Sequence, residues 1–256
     1  LERGEWTGDA KVNADRWCGK IEKYSDNVIS NNTIEDNSDD GILLQDSNNN
    51  TISNNKIDNN DDEGIQLKSS DNNLIHNNTV TENPNAIQLQ VNSSNNTISN
   101  NLIEADYGDG LLIVGSSNIV TNNTIKDSGD VGILISGNSN IIQYNNITGN
   151  EYGLNSSSSV DARYNWWGNE SGPSGVGPGN GDSINNTLLI NFSPWLCDPS
   201  GETPIEYCEE EEETTANVTL EWSYDTGYDV NAVAVSADGE YIAVVTDYGS
   251  NGFYLF

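Results

Sequence analysis

A short string, apolar-x-Asn-Asn-x-apolar, returns along this chain with its first apolar residue at Ile29, Ile52, Ile75, Ile98, Val120 and Ile142. The intervals are 23, 23, 23, 22 and 22 residues, and so regular a period leaves few folds open. The Asn pairs are Asn31/Asn32, Asn54/Asn55, Asn77/Asn78, Asn100/Asn101 and Asn122/Asn123, with Tyr144/Asn145 in the sixth copy. Later in each copy a small residue precedes two alternating apolar ones: Gly41-Ile42-x-Leu44, Gly64-Ile65-x-Leu67, Ala86-Ile87-x-Leu89, Gly110-Leu111-x-Ile113 and Gly132-Ile133-x-Ile135. Three short segments of period 2, punctuated by Asn, Gly, Ser and Asp, read as strands and turns. None is long enough or 3.6-periodic enough for a helix.

One copy cannot bury its few Ile and Leu side chains, whereas stacked copies can, each strand pairing with its equivalent about 4.8 Å away. The expectation is an all-β chain: a right-handed parallel β-helix of three short strands per coil, with columns of like residues inside. Asn tolerates the left-handed backbone of tight turns and can hydrogen-bond up the stack. Composition agrees, since 41 of 256 residues are Asn and only 34% are hydrophobic. That suits a narrow, continuous core with many turns.

Forty acidic residues against nine basic ones give a net charge of −31. Nucleic acid is excluded as a partner, because binding phosphates needs Lys and Arg. No run of 18 apolar residues occurs, so no membrane-spanning segment is expected. The chain begins at Leu1 without a signal peptide or initiator Met, which reads as a processed or excised product.

The repeat resembles that of pectate-lyase-like and periplasmic copper-maturation-type β-helix proteins. The segment Asp161-Ala162-Arg163-Tyr164-Asn165-Trp166-Trp167-Gly168, then Ser171-Gly172-Pro173 and Phe192-Ser193-Pro194-Trp195-Leu196, is similar to the closing coils of secreted β-helix proteins. Asn165 and Trp167 follow Asn145 and Ile147 by 20 residues, as in a seventh, shortened coil. Trp166, Trp167 and Trp195 are read as closing the end of the stack in preference to a sugar-binding platform. The resemblance spans roughly residues 25–198 and implies the fold, not an activity.

The ends depart from the repeat. Residues 1–24 read as an N-terminal cap with a partial coil around Gly19-x-Ile21, residues 25–198 as the β-helix with capping coils, and residues 199–216 as an acidic linker containing Glu209 to Glu213. Residues 217–256 read as a small antiparallel segment, with Asp238-Gly239 as a hairpin signal; it resembles one blade of a WD-type or quinoprotein-like β-propeller. A propeller needs four or more blades, which favours a fragment of a longer protein over strands that complete a neighbour's sheet. Cys197 and Cys208 bracket a short loop and suit a disulfide, with three unpaired thiols as the alternative. Cys18 is then a free thiol or a link to another subunit. Of twelve Asn-x-Ser/Thr sequons, Asn49, Asn92, Asn95, Asn155, Asn169, Asn185, Asn191 and Asn217 are candidates for glycosylation. Asn31, Asn77 and Asn122 lie inside the repeat and read as compositional.

Familiar catalytic groupings are missing. There is one His, His76, and no Met, which leaves a copper-handling role without its ligands. Arg163 reads as a salt-bridge or stacking residue, and no Gly-His-Gly or Arg-Ile-Lys string appears. Acidic residues recur at the turn before the small residue: Asp39/Asp40, Asp61/Asp62/Glu63, Asp106/Asp109 and Asp127/Asp130, interrupted at Asn83/Asn85. Stacked, they form a carboxylate ridge where Ca²⁺ or Mg²⁺ would relieve repulsion; without a cation the ridge is a solvated edge. The leading expectation is a non-enzymatic structural protein of the cell surface, a surface-layer, sheath or filament subunit of archaeal type, assembling with copies of itself. The alternatives are a carbohydrate-active β-helix enzyme (lyase, hydrolase or epimerase) and an adhesin that binds cell-surface glycans.

Overall fold

The computed structural model describes residues 5–7, 19–185, 188–199, 207–208, 230–235, 242–246 and 252–255. Leu1–Glu210 and Glu211–Phe256 form two compact units. The first is a parallel β-helix with three sheets, each built from one strand per coil. The first sheet contains Val28–Ser30, Thr51–Ser53, Leu74–His76, Thr97–Ser99, Ile119–Thr121 and Ile141–Gln143, preceded by Glu5–Thr7 and followed by Val160–Asp161 and Ile190–Asn191. The second runs from Thr33–Glu35 through Lys56–Asp58, Thr79–Asn83, Leu102–Ala105 and Thr124–Lys126 to Asn146–Thr148. The third includes Gly19–Glu22, Ile42–Gln45, Ile65–Lys68, Ile87–Leu89, Leu111–Ile113, Val131–Ile135, Tyr152–Ser156 and Gly181–Ile184.

Register follows the repeat. Ile29 pairs with Ile52, Ile52 with Ile75, Ile75 with Ile98, and so on through Val120 and Ile142. Every member of this column from Ile52 onward is fully buried, as are Ile57, Val80, Ile103, Ile125 and Ile147 beneath the second sheet. The small-residue column is a steric requirement. A Cβ at Gly41 would lie 2.6 Å from the Gly64 carbonyl oxygen and 2.7 Å from Ile57 Cγ2.

The Asn pairs divide their work. The first member, at Asn31, Asn54, Asn77, Asn100 and Asn122, is exposed and left-handed, with φ between 55 and 59°. The second is buried and forms a ladder. The backbone N–H and Nδ2 of Asn55 both donate to Asn78 Oδ1 at 3.0 Å, and those of Asn78 to Asn101 Oδ1 at 2.8 and 3.0 Å. A second ladder, Asn27–Asn50–Asn73–Asn96–Asn118–Asn140, lines the corner before the first sheet. A third begins Asn37–Asn60–Asn83 after the second sheet. The high Asn content is thus consumed by corners, where buried backbone N–H groups need partners.

The closing coil is shortened as its spacing suggests. Asn145 N–H donates to Asn165 Oδ1 at 2.9 Å, Trp167 and Trp195 are buried, and Phe192 stacks on Trp195 with ring centroids 6.1 Å apart. Burial of these indoles removes them as a sugar platform. Trp195–Leu196 pairs antiparallel with Tyr207–Cys208, and Cys197 is disulfide-bonded. The second unit contains one antiparallel sheet, Val230–Val235, Ile242–Thr246 and Gly252–Leu255. Cys18 and Asn217 lie outside the described residues.

Candidate functional site

The acidic ridge lies at the corner where each coil turns from the second sheet into the third. Stacking brings carboxylate oxygens of Asp39, Asp40 and Asp62 within 4.8 Å of one another. Asp61 is exposed beside them, but Asp106, Asp109, Asp127 and Asp130 lie beyond the Asn83-Pro84-Asn85 interruption and join no such group among the described residues. The eight-residue ridge therefore contracts to three carboxylates close enough to share an ion. Asp127 is engaged by Lys126, 2.9 Å away, and Asp109 Oδ1 accepts the Val131 N–H at 3.3 Å.

Two carboxyls lie beneath the exposed Asp39 and Asp62. Asp40 and Glu63 occupy equivalent places in successive coils and are 1% and 5% exposed. Burial, reinforced by hydrogen bonds to Asp62 and Asp40, drives the Glu63 carboxyl up to about 8. Burial likewise lifts Asp40 to about 6, opposed by its hydrogen bond with Glu63 and by the nearby Lys68 ammonium. From Glu63 a file of amides crosses the outer face of the third sheet. Gln66 Nε2 donates to Glu63 Oε2 at 2.8 Å and to Gln88 Oε1 at 2.9 Å, and Gln90 Nε2 donates to Gln88 Oε1 at 2.8 Å. Sequence reading singled out Glu63 only as part of the acidic ridge and missed Gln66, Gln88 and Gln90. Their signal was outward Gln at equivalent positions of successive repeats, at a spacing of 22 residues between Gln66 and Gln88.

Two buried oxygens here, Asp40 Oδ1 and Gln66 Oε1, have no hydrogen-bond partner among the described residues. Leaving a buried acceptor empty costs roughly 1–3 kcal/mol, and an all-oxygen set is what a hard divalent cation prefers. Asp39, Asp40 and Asp62 are the residues that could hold one. Elsewhere, an open groove of about 1030 Å³ flanks the last coils, lined by Ile141, Asp161, Val176, Leu189 and Asn191 among others. Arg163 is not free to act in it. Its guanidinium makes two bonds to Asp161, of 2.8 and 2.7 Å, the salt-bridge role its place in the closing coil suggests.

A stacked parallel β-helix with one strand of each sheet per coil defines the class. The pattern of the "Right handed beta helix region" family matches residues 21–167, more than half of the chain, and the chain belongs to that family. No curated protein matches it. Among solved structures it is similar to a mutant of the periplasmic alginate epimerase AlgG, with 19% identity and a TM-score of 0.54 over 67% of this chain and 45% of that one. It is also similar to the A-module of the mannuronan C-5 epimerase AlgE6 from Azotobacter vinelandii, with 17% identity and a TM-score of 0.42 over 66% of this chain and 58% of that one. The chain spans under half the length of the first. This likeness corrects the expectation of a non-enzyme: an alginate epimerase is built on the same fold, so the want of familiar catalytic strings excludes nothing. Among the described residues no helix is long and apolar enough to cross a membrane.

Proposed function

We propose that the chain is a carbohydrate-active β-helix enzyme working outside the cytoplasm on a polysaccharide laid along the outer face of the third sheet. One observation carries this reading: two exposed carboxylates, Asp39 and Asp62, stand over the buried Asp40 and Glu63 at the head of the Gln66–Gln88–Gln90 amide file. Asp39 and Asp62 are the groups placed to touch a sugar. Inverting a sugar carbon requires a proton taken from one face and another returned to the opposite face; an exposed carboxylate of the cluster takes the first, and solvent on the far side of the chain supplies the second. The half-buried amides of Gln88 and Gln90 orient hydroxyl or carboxylate groups of the chain.

Electrostatics narrow the substrate. A protein of net charge −31 repels a polyuronate unless cations stand between them, and a divalent ion held by Asp39, Asp40 and Asp62 belongs to the proposal. The test is turnover of neutral and uronate polysaccharides, with and without Ca²⁺, read by NMR of the sugar residues and by reducing-end release. Activity on a uronate chain that requires Ca²⁺ and is lost in Asp62→Asn, with the fold retained, supports the reading. Full activity of Asp62→Asn, or no turnover of any chain, would overturn it.

A further inference from the structure

We infer that the chain carries N-linked glycans in two staggered files along the borders of the first sheet, at Asn31, Asn77 and Asn122 on one border and at Asn49 and Asn95 on the other. Each of these residues heads an Asn-Asn-Thr sequon, is exposed, and holds a left-handed turn with φ between 55 and 59°. The second Asn of each sequon is drawn inward to the ladder, so the first projects alone into solvent. The Thr two places on begins the next strand and is half-buried, facing outward.

The stack turns a sequence coincidence into a pattern. The first five coils of the first sheet, beginning at Val28, Thr51, Leu74, Thr97 and Ile119, each carry one such sequon, and its side alternates from coil to coil. Asn54, Asn72 and Asn100 are equally exposed and left-handed, yet the residues that would complete their sequons are Lys56, Leu74 and Leu102. Sugars on one border are consequently two coils apart, about 10 Å, instead of one coil of about 4.8 Å. At the shorter spacing, bulky modifications would crowd each other. The same face exposes Leu74, Ile119 and Ile141 to 37%, 42% and 38%, and Leu74 sits between the coils of Asn49 and Asn95. Glycans there would cover apolar side chains that otherwise meet water, and would leave the third sheet open.

Among the other sequons Asn92 is also exposed and left-handed, with φ 62°, but it heads Asn-Ser-Ser and no strand begins at its Ser94; Asn155, Asn169 and Asn185 lack this geometry. The amides of Asn155 and Asn185 are bonded to each other, and Asn169 Oδ1 accepts both the N–H and the O–H of Ser171, at 3.0 and 2.7 Å. The experiment is glycopeptide mapping by mass spectrometry of the full chain isolated from the cells that produce it. Sugar on the five border residues, with Asn155, Asn169 and Asn185 bare, is the expected result. Thr51→Val and Thr97→Val, which keep a β-branched residue in the strand, should each remove the modification from their own peptide alone. Five bare border residues, or equal occupancy of Asn155 and Asn185, would overturn the inference.

Discussion

Replacing Asn78 with Ala tests what holds the coils together. Its Oδ1 accepts from the backbone N–H and the Nδ2 of Asn55, both at 3.0 Å. Its Nδ2 donates to the carbonyls of Ile52 and His76 and to Asn101 Oδ1, at 3.0, 3.1 and 3.0 Å. The two Nδ2 protons serve those three acceptors, so about four bonds at about 1 kcal/mol net apiece put the loss near 4 kcal/mol. The next-door substitution is the control. Asn77 is exposed at φ 55°, and Ala there costs only the left-handed strain, about 1 kcal/mol. Urea unfolding of the full, unglycosylated chain, followed by far-UV circular dichroism, measures both. Asn78→Ala should lower the midpoint several times more than Asn77→Ala. Equal losses would refute the division of labour within the pairs, and with it the view that side-chain ladders, not turn conformation, dominate the corners.

Asp109 gives a pH signature. Burial raises its carboxyl from 3.8 to about 6, so its contribution is intact below 3.8 and is lost as pH climbs through 6. A rise of that size corresponds to about 3 kcal/mol. Asp109→Asn, which keeps an acceptor for Val131 and matches Asn85 one coil earlier, should therefore be more stable than wild type at pH 7 and level with it near pH 4. A constant difference across that range would contradict the assignment. Calcium added to chelator-treated protein should raise the thermal midpoint, and Asp62→Asn should abolish the rise; an unchanged wild-type midpoint ends the cation proposal. Non-reducing peptide mapping should find Cys197, which directly follows Trp195–Leu196, joined to Cys208 of the strand paired with it; a different partner would refute that bridge.

The fold was legible because period alone fixes it: Ile52 over Ile75 is a statement about spacing before it is one about structure. The shortened coil at Asn165 could be read in the same way. Less visible was which Asn of each pair turns outward, since both have the same side chain and only the corner geometry separates them. The ladder through Asn50, Asn73 and Asn96 was also hidden, because those residues sit in polar runs that read as plain turns. At the candidate site, sequence reading gathered every acidic residue of one corner into a single row. It saw the interruption at Asn83/Asn85, but not that the acids beyond it join no close group among the described residues, nor that one coil's Asp40 meets the next coil's Asp62. Function was the least legible. Catalytic strings known from other β-helices are local in sequence, whereas this cluster is assembled by residues 23 positions apart.

All three corner ladders point the same way. In each, a backbone N–H of one coil donates to the side-chain oxygen of the coil that follows, and at the last rung of one corner Asn150 hands its N–H to the carboxylate of Asp182 at 2.9 Å. The two ends of the stack are therefore chemically unlike. Trimming coils from the beginning uncovers side-chain oxygens, to which water can donate, together with the Nδ2 groups that reached back to the removed carbonyls. Trimming from the far end uncovers the backbone N–H groups of the corners instead, so shortening the stack from its two directions exposes different sets of polar groups.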